Sequence, residues 1–317
     1  MKSSLRGAVR RPLALLARCA SSASNQPGRV VVITSGKGGV GKTTVTASMG
    51  YGLAQRGFRT CLIDFDIGLR NLDLHLVDYL VLGRVQAISD IMDRIHAQGC
   101  ERRVIFDFIH VIEKNCRLTQ ALIKDKRLEK LVLLAASQTR DKEALTEEGV
   151  EEVLDELKAQ FDFILCDSPA GIESGARHAM YFADDAILVT NPEISSCRDS
   201  DKMIGFISSN SLRAKIGREP VNQRLLINRY DANRVQSDDC LSVDDIQEML
   251  GLPVCGVIPE SAHVLTSSNM GQPVITVEGE KAAVAFEDAV ARFLGEDRDI
   301  KFLHPERPKG LFRRIFF

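Results

Sequence analysis

Short uninterrupted apolar runs alternate along the chain with stretches in which apolar residues recur every three or four positions. The runs are Val30–Thr34, Thr60–Asp64, Leu131–Ala135, Phe163–Asp167, Ala186–Thr190, Arg224–Asn228 and Val254–Ile258. Helical spacing marks Lys142–Gln160, Ser196–Ser209, Val243–Leu250 and Glu280–Leu294, and another helical pattern starts at Lys42. Strands that are apolar throughout, rather than on alternate residues, are covered on both faces. With helices between them, they predict an α/β fold: a doubly wound, mostly parallel sheet with helices on both sides.

Composition narrows this reading. Apolar residues at 44% and charged residues at 26% of 317 are those of a globular chain, excluding wholesale disorder, collagen and a disulfide scaffold. No apolar run reaches the roughly 18 residues of a membrane-spanning helix. The eight cysteines are scattered without a C-x-x-C pair, which reads as reduced, buried thiols rather than a zinc or iron–sulfur site. Charge is unevenly placed. Lys2, Arg6, Arg10, Arg11 and Arg18 precede the first acidic residue of the chain, Asp64. An acid-free start containing Arg and Ser, with a basic amphipathic stretch at Leu5–Arg18, is expected to be an organellar transit peptide over residues 1–28. The expected destination is the mitochondrial matrix, peripheral on the inner membrane, with the plastid stroma as the alternative. Removing residues 1–28 takes the formal charge from −2 to −7.

Val30–Thr34 runs into Ser35-Gly-Lys-Gly-Gly-Val-Gly-Lys-Thr-Thr44, a G-x-x-x-x-G-K-T loop between a strand and a helix. Glycines there let successive backbone N–H groups turn around phosphate oxygens, and the helix N-terminus adds partial positive charge. Gly36, Lys37, Gly38, Gly39, Val40, Gly41, Lys42, Thr43 and Thr44 are therefore expected to bind nucleotide. Lys42 is expected at the β/γ-phosphates, with the Thr43 hydroxyl on Mg²⁺. Lys37 is a second loop lysine, placed to reach a nucleotide in a facing subunit; a solvated loop lysine is the plainer alternative. Two strands end in carboxylates: Cys61-Leu-Ile-Asp-Phe-Asp66 and Phe163-Ile-Leu-Cys-Asp167. Asp64 and Asp167 are expected at the metal and Asp66 at the attacking water, although each Asp is also a common turn former or helix cap. The constellation reads as hydrolysis of ATP with Mg²⁺.

These residues resemble a known family. Lys37-Gly-Gly-Val-Gly-Lys-Thr43 is similar to the deviant Walker A motif of the ParA/MinD ATPases. Asp64-Phe-Asp-Ile-Gly-Leu-Arg-Asn-Leu-Asp-Leu74, Ala136-Ser-Gln-Thr-Arg-Asp-Lys142, Cys166-Asp-Ser-Pro-Ala-Gly-Ile-Glu173 and Val257-Ile-Pro-Glu260 resemble the MinD branch, which places the bacterial and plastid division site. The resemblance covers about residues 29–317. It implies that Lys37 acts across an ATP-dependent homodimer, that Lys42 and Asp66 share in hydrolysis, that Asn228 reads adenine and that Pro259 lines the base. Arg198 and Asp199 match the region near the dimer interface and partner surface. Partners implied are MinC-like and MinE-like regulators and, indirectly, the ring protein FtsZ.

The chain thus reads as residues 1–28, an ATPase domain over 29–304, and a tail over 305–317. Within the domain, residues 75–98 depart from the family pattern. They are a real insertion beside the Asp64–Leu74 segment, a lineage-specific partner surface, or an intron translated in error. In the tail, Leu311, Phe312, Ile315 and Phe316 fall on one helical face, with Lys309, Arg313 and Arg314 opposite. A basic, aromatic amphipathic end suits an anionic membrane interface, with two tails of a dimer acting by avidity. Two competing functions are weaker. A DNA-partitioning ATPase of the ParA type needs a basic dimer surface, and the processed chain is acidic, so no direct nucleic-acid partner is expected. A metal-cluster carrier of the Mrp type needs the paired cysteines that are absent here.

Overall fold

A computed structural model describes residues 27–68, 72, 73, 106–138, 140 and 142–305. Residues 1–26 of the expected transit peptide, the whole 75–98 segment and residues 306–317 of the tail lie outside the described residues. Among the described residues eight strands form one sheet: β1 (Arg29–Thr34), β2 (Thr60–Asp64), β3 (Leu122–Lys124), β4 (Leu131–Leu134), β5 (Phe163–Asp167), β6 (Asp185–Thr190), β7 (Asn222–Tyr230) and β8 (Val254–Pro259). Their spatial order is β3-β4-β2-β5-β1-β6-β7-β8. Every neighbouring pair is parallel except β3 with β4.

The seven expected strands are all present. The eighth, β3, was not expected: it is a three-residue antiparallel edge, half-exposed at Leu122 and Ile123. The central strands are buried along their whole length, as apolar runs require. Successive residues alternate between two cores. Val30 and Val32 pack with Phe65, Leu154 and Ile207 on one face, whereas Val31 and Ile33 pack with Met49, Leu53 and Phe286 on the other. Each fully buried side chain of this size contributes about 1.5–3 kcal/mol relative to exposure.

The helices follow that division. The main ones, in chain order, are α1 (Lys42–Gln55), α2 (Phe108–Ile112), α3 (Leu118–Ala121), α4 (Glu147–Gln160), α5 (Ser174–Tyr181), α6 (Ile194–Asn210), α7 (Leu212–Lys215), α8 (Ala232–Gln236), α9 (Val243–Leu250), α10 (His263–Asn269) and α11 (Lys281–Phe293). The apolar faces of α1 and α11 cover one side of the sheet, and those of α2, α4, α5, α6 and α9 the other. One expectation is corrected. The helical pattern at Lys142–Gln160 is not one helix: a 3₁₀ turn at Lys142–Ala144 is separated from α4. The Thr146 hydroxyl accepts from the Gly149 amide at 3.1 Å, and Glu147 and Glu148 occupy the first turn, so a new helix starts there.

The chain leaves β1 for β2 on one side of the sheet and crosses from β5 to β6 on the other. The carboxyl end of β1 is therefore the point where strand order reverses, the place where open α/β sheets bind ligands. The loop Ser35–Gly41 lies there. Of the expected buried thiols, Cys61, Cys166, Cys197 and Cys255 are buried and unbridged, while Cys116 and Cys240 are half-buried.

Candidate nucleotide site

The phosphate loop joins β1 to α1. Gly39 and Gly41 take positive φ of 74° and 98°, conformations that favour glycine and turn the backbone inward. Gly41 is the N-cap of α1 and has no side chain to cap it, leaving the first N–H groups of the helix for an anion. A side-chain carbon at Gly36 would overlap the backbone of Asp199, so α6 packs directly on the loop.

Lys42 is buried, and its Nζ donates to the Ser35 hydroxyl at 3.0 Å. That hydroxyl in turn donates to the Lys37 carbonyl at 2.7 Å. Burial pushes the Lys42 ammonium down from its usual value, opposed by Asp167 and Asp66. The two strand-end carboxylates are adjacent, since Asp64 lies opposite Asp167 in the β2–β5 register. Burial raises both pKa values, and for Asp64 the charge of Asp167 raises it further. Asp167 is stabilised by the hydroxyls of Thr43 and Thr46, the latter donating to Oδ1 at 3.0 Å. Asp64 accepts the Asp66 amide at 2.9 Å and the Leu72 amide at 3.2 Å, tying the segment after β2 to the strand end. Asp66 is half-buried beside them. Two paired carboxylates and the Thr43 hydroxyl are a hard oxygen donor set with excess negative charge, which suits Mg²⁺ better than softer metals.

Lys37 is placed differently from Lys42. Its side chain is 42% exposed, and Nζ meets Glu193 Oε2 at 2.8 Å and Ser195 Oγ at 3.4 Å, at the start of α6. Arg198 is exposed on the same helix, and Asp199 pairs with Lys202 at 3.0 Å. Asn228, near the end of β7, donates its amide to the Val40 carbonyl at 2.8 Å, and Pro259 ends the neighbouring strand opposite Tyr230. Thr44 is half-buried in the first turn of α1. All the expected loop, carboxylate and base-side residues thus lie at the carboxyl ends of the parallel strands. Leu311, Phe312, Arg313, Arg314, Ile315 and Phe316 lie outside the described residues. Sequence reasoning missed Ser35, Thr46, Glu193 and Ser195. Thr46 carries a readable signal, being three residues from Thr43 and hence on the same face of α1; the Glu193 contact bridges 156 positions and carries none.

The arrangement defines a P-loop nucleoside triphosphatase with a doubly wound sheet. Residues 31–274 match the family model described as the CobQ/CobB/MinD/ParA nucleotide binding domain. The chain is 52% identical over 289 residues to the septum site-determining protein MinD of Escherichia coli K12, covering 91% of this chain and 98% of that protein. MinD of Neisseria meningitidis is 51% identical over 291 residues, with the same coverage. Among solved structures, a chain of the MinC:MinD cell division protein complex of Aquifex aeolicus matches with a TM-score of 0.69 and 37% identity, covering 88% of this chain and all of that one. MinD of Pyrococcus horikoshii, complexed with Mg-ADP, matches with a TM-score of 0.65 and 28% identity, covering 84% and 96%. The chain belongs to the MinD family of septum site-determining proteins, and it is an ATPase.

Proposed function

We propose that this ATPase binds ATP with Mg²⁺, dimerises across the nucleotide, attaches to an anionic membrane through its C-terminal tail, and helps to position an FtsZ-type division ring in an organelle. The observation that carries the reading is the contrast between the two loop lysines. Lys42 is buried within its own phosphate loop, whereas Lys37 stands at the rim on an exposed contact, available to a facing subunit. There it would stabilise transferring charge as an arginine finger does.

Thr43, Asp64 and Asp167 are the residues that would hold Mg²⁺. The metal, when bound, neutralises charge developing on the phosphates. Asp66 orients the attacking water, and Lys42 binds the β/γ-phosphates. Asn228 and Pro259 face the base. Arg198 and Asp199, on the α6 surface beside Lys37, belong to the region read by partners. The MinC:MinD complex of Aquifex aeolicus supports a MinC-like regulator for this chain; a MinE-like activator is the further expectation. The acid-free head supports delivery to the mitochondrion, with plastid as the alternative.

Co-sedimentation with anionic vesicles tests this reading, using the chain with and without residues 308–317. Binding with ATP-Mg²⁺ but not ADP, lost on truncation, is expected. Equal binding in both nucleotides would make the tail a passive anchor. No binding in either would remove the membrane cycle and favour a DNA-partitioning role.

A further inference from the structure

We infer that Asn228 is a positioning residue of the phosphate loop itself, not only a contact to the base. The inference rests on the nucleotide-site reading above and extends it. The Asn228 side chain is buried, and its amide nitrogen donates to the Val40 carbonyl at 2.8 Å, across 188 residues of sequence. A side-chain carbon at Gly41 would overlap that same nitrogen, so the amide is seated directly against the Val40–Gly41 peptide. Peptide planarity gives this contact a consequence. In a trans peptide the C=O and N–H point in opposite directions. Holding the Val40 carbonyl toward Asn228 therefore holds the Gly41 N–H away from it, toward the concave side of the loop where phosphate oxygens are bound.

The geometry around the pair explains why a side chain from β7 is needed. Gly41 has a φ of 98° and caps α1 without a side chain of its own. Gly39 is also in the left-handed region, with open space around it. A glycine-rich loop has many conformations of similar energy, and only one presents its amides together. Asn228 fixes the peptide just before the helix from outside the loop. Phosphate affinity then depends on a strand residue that touches no phosphate. A residue that also faces the base links occupancy of the base site to the shape of the phosphate cradle.

The test separates this role from base reading by using a ligand without a base. Affinities for ATP and for inorganic tripolyphosphate are measured on the full chain, wild type and Asn228→Ala, by competition against a fluorescent ATP analogue. Both ligands are expected to weaken together, by about tenfold, because the Val40 carbonyl loses its partner and the loop its constraint. Asn228→Asp, which keeps the shape and as a carboxylate cannot donate to a carbonyl, is expected to weaken tripolyphosphate at least as much when assayed at alkaline pH. Thermal midpoints lowered by only a few degrees are expected, since one buried carbonyl loses its donor while the core stays packed. If Asn228→Ala does not fold, Asn228→Leu, which keeps the volume, gives the same readout. Weakened ATP binding with unchanged tripolyphosphate binding would overturn the inference and leave Asn228 as a base contact alone. A wild type that binds neither ligand would instead overturn the nucleotide-site reading on which it rests.

Discussion

Replacing Glu193 with Ala is expected to tighten ATP-dependent self-association. In the free chain Lys37 is held by Glu193 at 2.8 Å, with Ser195 at 3.4 Å. The side chains are 42% and 47% exposed, so the pair lies in a nearly aqueous dielectric. At that exposure an ion pair is worth about 0.2–1 kcal/mol. If each Lys37 must leave its own Glu193 to reach the facing nucleotide, a dimer breaks two such pairs. The expected gain for Glu193→Ala is then about 0.4–2 kcal/mol, or about 2- to 30-fold in the dimer constant. Sedimentation equilibrium with a non-hydrolysable ATP analogue measures it directly. The gain should shrink at high salt, which screens exposed charges over less than about 10 Å. It should vanish in a Lys37→Ala background, where no lysine remains to be released. Unchanged or weaker association in Glu193→Ala, at low salt and with Lys37 present, would refute the idea that this contact competes with dimerisation.

Two stability predictions follow from packing and charge elsewhere. A side-chain carbon at Gly256 of β8 would lie 2.8 Å from Ala289 Cβ of α11. Gly256→Ala is therefore expected to cost about 1–3 kcal/mol in urea unfolding, and Ala289→Gly should recover part of that cost despite its own helix penalty of about 1 kcal/mol; simple additivity of the two would count against the packing argument. Burial pushes the Asp162 carboxyl up, but hydrogen bonds from the Arg59 backbone at 2.8 Å and side chain at 2.7 Å outweigh it and hold the group below the usual carboxylate range. A depressed folded-state value gives stability that is present above the unfolded value of about 3.9 and lost as pH falls through the folded one. Both side chains are more than a third exposed, so Arg59→Met should cost at most about 1 kcal/mol near neutrality, with the difference disappearing in acid. A difference that stays constant down to strongly acid pH would show that the lost contact was not electrostatic.

The parts legible in the sequence were those fixed by local pattern. Seven strands could be read because a parallel strand covered on both faces is apolar throughout, as in Phe163-Ile-Leu-Cys-Asp167, which is buried at every position. β3 escaped because two half-exposed apolar residues and an exposed lysine at an edge show neither alternation nor a full apolar run. The break before α4 was hidden by apolar spacing that continues across it; the Thr146 cap was the signal that outranked periodicity. In the site, Lys42, Thr43, Asp64 and Asp167 were found because each sits in a short motif ending a strand or opening a helix. The Lys37–Glu193 and Asn228–Val40 contacts join positions 156 and 188 residues apart, which only the strand order brings together.

The strand order also explains why these two contacts differ in strength. The loop follows β1, which has β5 on one side and β6 on the other, so its inner side meets the ends of buried strands. Thr46 is tied to Asp167 there at 3.0 Å and Asn228 to Val40 at 2.8 Å, with all four residues buried. Away from water, a polar group that loses its partner costs about 1–3 kcal/mol, so these ties hold the loop in one shape. Lys37 points the other way, to the start of α6, where water reaches both partners. Its contact is weak because it is solvated and can exchange for another at little cost. A fixed phosphate cradle and a releasable lysine on the same seven-residue stretch are what an enzyme needs if its own site is built in advance but its last catalytic cation must go to a neighbour.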